Sequence, residues 1–156
     1  MNKKRIIEKI IKDLEEKLAG QELILKKIDR DRRDAPSFMQ SASDTTRAEK
    51  QQEGDDYQLK IQDTKDSIDY FKNTNLDGNF LKVVDDEDRI INYLMVEKGG
   101  GIILKEDFEL IGEEGRLIAI SKETPLYNCL KNQKVGDTCI LIIGEVEREL
   151  KILEIF

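Results

Sequence analysis

The sequence predicts an α+β protein in which an antiparallel two-helix coiled-coil hairpin precedes a small α+β sheet domain. Three observations carry that prediction. An apolar ladder runs through Ile7, Ile11, Leu14, Leu18, Leu25 and Ile28, and a second through Tyr57, Ile61, Ile68 and Phe71. Both climb by alternating threes and fours, with Gln21 and Thr64 on the missing rungs, which is the seam of a coiled coil. The ladders also mirror each other about a midpoint near Met39 and Gln40, pairing Ile7 with Phe71, Ile11 with Ile68 and Leu18 with Ile61. Finally, composition breaks near Asn73. Residues 1–72 carry almost no Val, Gly or Pro apart from Gly20, Pro36 and Gly54, whereas residues 79–156 are rich in Val, Ile and Gly. The expected organisation is a finger over 1–73 with its tip at about 34–44, a linker over 74–78, and a second domain over 79–156.

The first helix is expected from the first few residues to about Arg33, because its interior is built from Lys, Glu, Leu and Ile, with Gly20 as a tolerated weak point. Pro36 cannot continue it and biases Ala35 away from helical angles. Ser43 or Asp44 can cap the second helix, expected from about Thr45 to Lys72. Two helices of roughly 30 residues, rising about 1.5 Å per residue, would give a finger about 45 Å long, a length suited to reaching rather than to filling a core. The run Asn73-Thr74-Asn75-Leu76-Asp77-Gly78 reads as turns.

Beyond it the period becomes strand-like. Candidate strands are Phe80 to Val84, Ile90 to Val96, Gly101 to Leu104, Arg116 to Ser121, Thr138 to Ile143 and Leu150 to Ile155. Pro125 to Lys131 has the spacing of one short helix with Leu126, Cys129 and Leu130 on its apolar face. A curved sheet wrapped on that helix is the expected second domain. The triplet Gly99-Gly100-Gly101 lacks the Lys-Ser or Lys-Thr of a phosphate loop and reads as a hairpin turn.

Charge divides with the domains. Of 26 basic and 33 acidic residues, 16 of each lie within residues 1–73, which leaves 10 against 17 beyond and assigns the whole net charge of −7 to the second domain. That balance disfavours a broad nucleic-acid surface there, since duplex binding needs clustered cations. The two cysteines, Cys129 and Cys139, form no Cys-x-x-Cys pair and have no histidine beside them, so free thiols in a reducing cytoplasm are expected. Without histidine, no serine or cysteine nucleophile has its usual base, and the chain is expected not to be an enzyme on its own. The basic start, Met-Asn-Lys-Lys-Arg, leads into a charged amphipathic segment and is neither a signal peptide nor a membrane span. A soluble, cytoplasmic, monomeric protein is expected.

In the second domain Ile118-Ala119-Ile120-Ser121 leads to Thr124-Pro125-Leu126, then Cys129-Leu130-Lys131, then Lys134-Val135-Gly136-Asp137, and finally Leu150-Lys151-Ile152-Leu153-Glu154-Ile155. This order resembles the carboxy-terminal domain of the Gre transcript-cleavage factors, in which Ile-Ser, Ser-Pro-Leu, a helix end in Ala-Leu-Leu-Gly-Lys, Val-Gly-Asp and a final Ile-Leu-x-Ile follow one another. The preceding antiparallel coiled coil is also a feature of that family. The resemblance implies an FKBP-like second domain, a bacterial RNA polymerase as partner, and a finger inserted in its secondary channel. It also implies docking of the second domain at the channel rim, where Thr124, Pro125 and Leu126 are the candidate contacts. Each motif equally has a structural use: Pro125 suits a first helical turn and Gly136 a turn into a strand.

In cleavage-stimulating members the tip carries paired acids in Gly-Asp-Leu-Ser-Glu-Asn-Ala-Glu-Tyr, which help the polymerase hold a second Mg2+ and orient the attacking water. This chain has no such string. Its candidates for sharing the polymerase Mg2+ are Asp34, Asp44 and Glu49; it is expected to have no metal or cofactor of its own. Asp44 is equally well placed as a helix cap and Asp34 as a solvated helix end. Phe38 and Met39 are candidate tip contacts. Arg30, Arg32, Arg33, Arg47 and Lys50 form a basic patch suited to a displaced RNA 3′ end, with Arg32 set opposite Arg47 by the mirror. Nearby Asp29, Asp31, Asp34 and Asp44 can balance the same cations. The readings left open are a regulator of elongation, backtracking or cleavage, a channel-blocking inhibitor without cleavage, and a coiled-coil adaptor unrelated to polymerase. A prolyl isomerase is a further alternative, but such enzymes need a pocket walled by aromatics. Here Trp is absent and the second domain offers only Phe80, Tyr93, Phe108, Tyr127 and Phe156.

Overall fold

The structure, a computed structural model, describes residues 3–35, 45–105 and 116–156. Two long helices, α1 (Lys3–Asp34) and α2 (Thr46–Asn73), precede a six-stranded sheet. Its strands are β1 (Phe80–Asp85), β2 (Ile90–Val96), β3 (Ile103–Lys105), β4 (Arg116–Ser121), β5 (Thr138–Ile143) and β6 (Val146–Ile155). One short helix, α3 (Pro125–Leu130), lies between β4 and β5. The fold class is α+β, as the sequence predicts. The chain divides into two compact units, Ile11–Asp69 on one side and Met1–Ile10 with Tyr70–Phe156 on the other.

Within Ile11–Asp69 the two helices run antiparallel. Glu22 pairs with Lys65 at 3.6 Å, Leu25 and Ile28 lie nearest Gly54, and Arg32 hydrogen-bonds Gln51, so numbers rise on one helix as they fall on the other. Leu14, Ile28, Ile61, Thr64, Ser67 and Ile68 are buried along the seam, with Leu18, Leu25 and Tyr57 half-buried beside them. Gly54 is an additional buried rung that an apolar ladder does not reveal: a Cβ added there would meet Ile28 Cγ2 at 3.7 Å and Leu25 Cδ1 at 3.9 Å. Two polar residues of the seam satisfy themselves locally: Thr64 Oγ1 donates to the Lys60 carbonyl (2.9 Å) and Ser67 Oγ to that of Asp63 (2.7 Å).

The other unit begins with the first turns of α1. Here the buried residues of α1 are Ile6 and Ile10, both 0% exposed, while the expected rung Ile7 is only half-buried. Residues 1–10 belong to the sheet unit, so their buried stripe is rotated by one residue, about 100° of helix, from the coiled-coil seam. Phe71, Leu76 and Phe80 are buried in the same unit, Lys3 pairs with Asp77 at 3.2 Å, and the Glu97 amide donates to Tyr70 Oη at 3.1 Å.

Strand order is β3-β4-β2-β1-β6-β5, antiparallel except for the parallel pair β2 and β4. The expected hairpin at Gly99-Gly100-Gly101 is therefore not one: β4 lies between β2 and β3, and the glycine turn carries the chain across its end. The crossing is close. A Cβ on Gly100 would sit 2.6 Å from the Ser121 amide nitrogen, and Gly101 donates to the Ala119 carbonyl at 2.7 Å. Only a residue without a side chain passes there. One face of the sheet packs Leu81, Val83, Tyr93, Ile120, Cys139, Leu141, Leu150 and Ile152 with Leu130 of α3. Fully burying each such aliphatic side chain is worth about 2 kcal/mol.

Candidate functional site

Where α1 ends and α2 begins, the helix termini are charged in the sense the backbone dipole favours. Arg32 and Arg33 stand in the last turn of α1 and Glu49 in the first turn of α2. Arg32 forms an ion pair with Asp29 at 3.2 Å besides its bond to Gln51, and Arg33 Nε donates to the Asp29 carbonyl at 3.2 Å. The like-charge opposition of Arg32 and Arg47 inferred from the mirror is thus met locally at Arg32 by an acid of its own helix and an amide of the other. Lys50 donates to Glu53 at 2.6 Å; that hydrogen bond and the carboxylates of Glu53, Asp31 and Glu49 hold its ammonium above the ordinary lysine value. Arg30 and Arg47 are exposed.

Among the candidate tip acids, Asp34 is the exposed last residue of α1, and Glu49 is exposed and accepts a 2.7 Å hydrogen bond from Thr45 Oγ1. Thr45 stands just before α2, its carbonyl receiving the Glu49 amide at 3.0 Å. Asp44, Phe38 and Met39, with Ser43, lie outside the described residues. Ala48, Glu49, Gln52, Glu53 and Asp56 line a shallow open hollow on α2. Among the described residues, no three His, Cys, Asp or Glu side chains are grouped so as to hold a metal ion.

In the sheet unit the candidate docking string has a clear local structure. Thr124 caps α3: its Oγ1 donates to the Ser121 carbonyl (2.8 Å) and accepts from the Tyr127 amide (3.2 Å). Pro125 occupies the first turn and is exposed, and Leu126 is half-buried against the core. The Val135-Gly136 turn enters β5 through a 2.8 Å bond from the Lys134 amide to Asp137 Oδ2, with Gly136 at φ 92°. The two cysteines are disulfide-bonded, which corrects the expectation of free thiols. Packing of α3 on β5 brings their Cα atoms to 5.8 Å, within bridging range, a proximity that a separation of 10 residues does not disclose.

Sequence reasoning missed two further features. The edge strand β5 exposes Ile140 (64%) and Ile142 (59%) on one face, opposite Glu149 and Glu147 of β6, and also Ile143 (61%), which pairs with the exposed Val146. Their alternation with Cys139 and Leu141 was readable, but not which strand would be an edge. At the β1–β2 turn, the carboxylate of Asp85, a residue only 7% exposed, receives the amides of Glu87 (3.0 Å) and Arg89 (2.9 Å) and a two-pronged contact from the Arg89 guanidinium (2.9 and 2.7 Å). Burial pushes this carboxyl upward, but the hydrogen bonds from Arg89 and the two amides outweigh it and hold it below the usual range.

No protein-family model matches the chain, and no curated protein matches it in sequence. Solved structures do resemble it. The GreA factor homolog 1 (Gfh1) protein of Thermus thermophilus is 16% identical with a TM-score of 0.34, over 94% of this chain and 94% of that one. A second structure, of the transcription factor Gfh1, is 15% identical with a TM-score of 0.34, over 93% and 92%. Thermus aquaticus Gfh1 is 14% identical with a TM-score of 0.37, over 97% and 92%. At TM-scores below 0.5 these likenesses lend no weight to a function.

Proposed function

We propose that the chain is a Gre-like regulator of bacterial RNA polymerase whose hairpin enters the secondary channel while the sheet domain docks at its rim. One observation carries the reading. The Gre-like string falls in order on a strand (β4), a helix cap (Thr124-Pro125), a turn into a strand (Val135-Gly136-Asp137) and a last strand (β6), in a domain that follows a long antiparallel hairpin. The row of exposed isoleucines beside Glu147 and Glu149 suits a partner surface that is apolar and basic. On this reading the protein has no catalytic centre or cofactor of its own, works as a monomer in the cytoplasm, and acts through the polymerase's own Mg2+ site. Asp34, Asp44 and Glu49 are then the acids nearest that metal, Phe38 and Met39 the tip contacts, and the basic residues from Arg30 to Lys50 the neighbours of displaced RNA.

The missing acidic string favours the non-cleaving version, a factor that occupies the channel and slows synthesis. The test is a transcription assay on backtracked and on active polymerase, with binding followed in parallel. Expected results are salt-sensitive binding, slower elongation and little transcript cleavage. Strong cleavage that Asp44→Asn abolishes would replace the blocker with a cleavage factor. Absence of binding at low salt would remove polymerase as the partner.

A further inference from the structure

We propose that Cys129 and Cys139 form a reversible thiol–disulfide switch that sets how firmly α3 and the following loop are held on the sheet. Of the two cysteines, one lies on α3 and the other on β5, so the bond ties this short helix to an edge strand. The hydrogen bonds of α3 run along its own chain, through Thr124 to Ser121, Lys131 to Tyr127, and Gln133 to Cys129 and Leu130. Its hold on the sheet is the packing of Leu126, Tyr127, Cys129 and Leu130, plus the disulfide. A six-residue helix has no stability of its own, so a cross-link there decides local order.

The rest of the domain does not need the bond. Leu81, Val83, Tyr93, Ile120, Leu141, Leu150 and Ile152 make a continuous core without it, and two thiols pack in such a core as small apolar groups. Both redox states therefore fold, and the difference between them is confined to residues 124–137. Access is asymmetric: Cys139 is 8% exposed, whereas Cys129 is half-buried and is the cysteine a reductant approaches more readily. In a cytosolic protein a disulfide is typically transient or redox-sensing rather than a permanent staple.

The co-reactant is a dithiol. Its thiolate attacks Cys129 Sγ, the S–S bond breaks with its electron pair going to Cys139 Sγ, and that sulfur takes up a proton. The reductant's second thiol then displaces Cys129, which also leaves as a thiol. Two electrons and two protons pass to the cysteines, and the reductant departs as its own disulfide. Oxidation by a disulfide of the same class reverses each step.

The test uses the full chain, equilibrated in oxidising and in reducing dithiol buffers. Maleimide trapping reads the two thiols, and amide hydrogen exchange reads local order. Trapping should switch reversibly between none and both cysteines. On reduction, exchange over residues 124–137 should quicken about tenfold while β1, β2 and β4 keep their protection. A variant carrying Cys129→Ser and Cys139→Ser should match the reduced form in either buffer. Identical exchange in the two states, or loss of protection throughout the sheet on reduction, would overturn the proposal. Thr124 to Leu126 begin this helix, so on the polymerase reading, on which this last consequence rests, the oxidised form binds more tightly. Binding by neither form would count against that reading and leave the exchange result standing.

Discussion

The hairpin of residues 11–69 and the sheet unit are stabilised in opposite ways. The hairpin buries a single stripe, partly polar and including a glycine, and faces solvent with charged residues that pair along and between its helices. The sheet unit buries whole residues on both sides of its strands: Phe80, Leu94, Val96 and Leu117 on one, Leu81, Val83 and Ile152 on the other. A two-helix stripe is a thin core whose gaps relax or admit water at little cost. A sheet covered on both faces has nowhere to collapse. Charge follows a different boundary: it sums to zero over residues 1–73 and to −7 over residues 74–156.

Core truncation should show the largest contrast. Leu94→Ala, at a site 0% exposed, should cost about 4 kcal/mol, and Ile28→Ala in the hairpin about 2 kcal/mol, because the narrower site relaxes more completely. Urea unfolding followed by circular dichroism reads both, and equal losses would break the comparison.

Next in size is Asp85→Asn, which should cost about 2 kcal/mol near pH 7 by removing the charged acceptor of the Arg89 fork. Because the folded carboxyl titrates below its unfolded value, its contribution is present above about pH 4 and fades as pH falls through the folded pKa. The gap between wild type and variant should therefore close in acid, in the sheet unit only. A gap that persists unchanged at strongly acidic pH would show that shape, not charge, is what Asp85 supplies.

The smallest effect should be a gain. Gln21 Oε1 is buried in the hairpin without a hydrogen-bond partner among the described residues, so Gln21→Leu should raise stability by about 1 kcal/mol. A fall in melting temperature would mean that the polar rung is needed to hold the register of the two helices.

Much of this architecture was legible because period reports which face of an element is buried. Strands β2, β4 and β5 match their sequence-based bounds, and both long helices end within a residue or two of theirs. Period does not report which element supplies the cover. The stripe at Ile6 and Ile10 was therefore misplaced by one residue, since those turns of α1 belong with the sheet. Nor does it report strand order: the apolar run of β4 looks the same whether it follows β3 or slips between β3 and β2. The disulfide depends on that same non-local geometry. Of the candidate site, Pro125 was legible as a first helical turn because that preference is local chemistry, and one partner of Arg32 was within sight as Asp29 on its own helix. The contact with Gln51 required the pairing of the helices.

Strand β6 lies between β1 and β5, so that Leu81 pairs with Ile155 across most of the sheet domain's sequence. During synthesis the edge of β1 away from β2 therefore waits for β6 to emerge, and β5 has no strand neighbour until the same moment. Residues 11–69, a unit of their own, can meanwhile close on themselves. Contact order thus separates the two units in time: the hairpin is a fast, local folder, and the sheet is completed late, with the loop-closure cost of its longest pairing met in a single step. Until then the apolar edges of β1 and β5 are the part of the nascent chain most exposed to wrong partners.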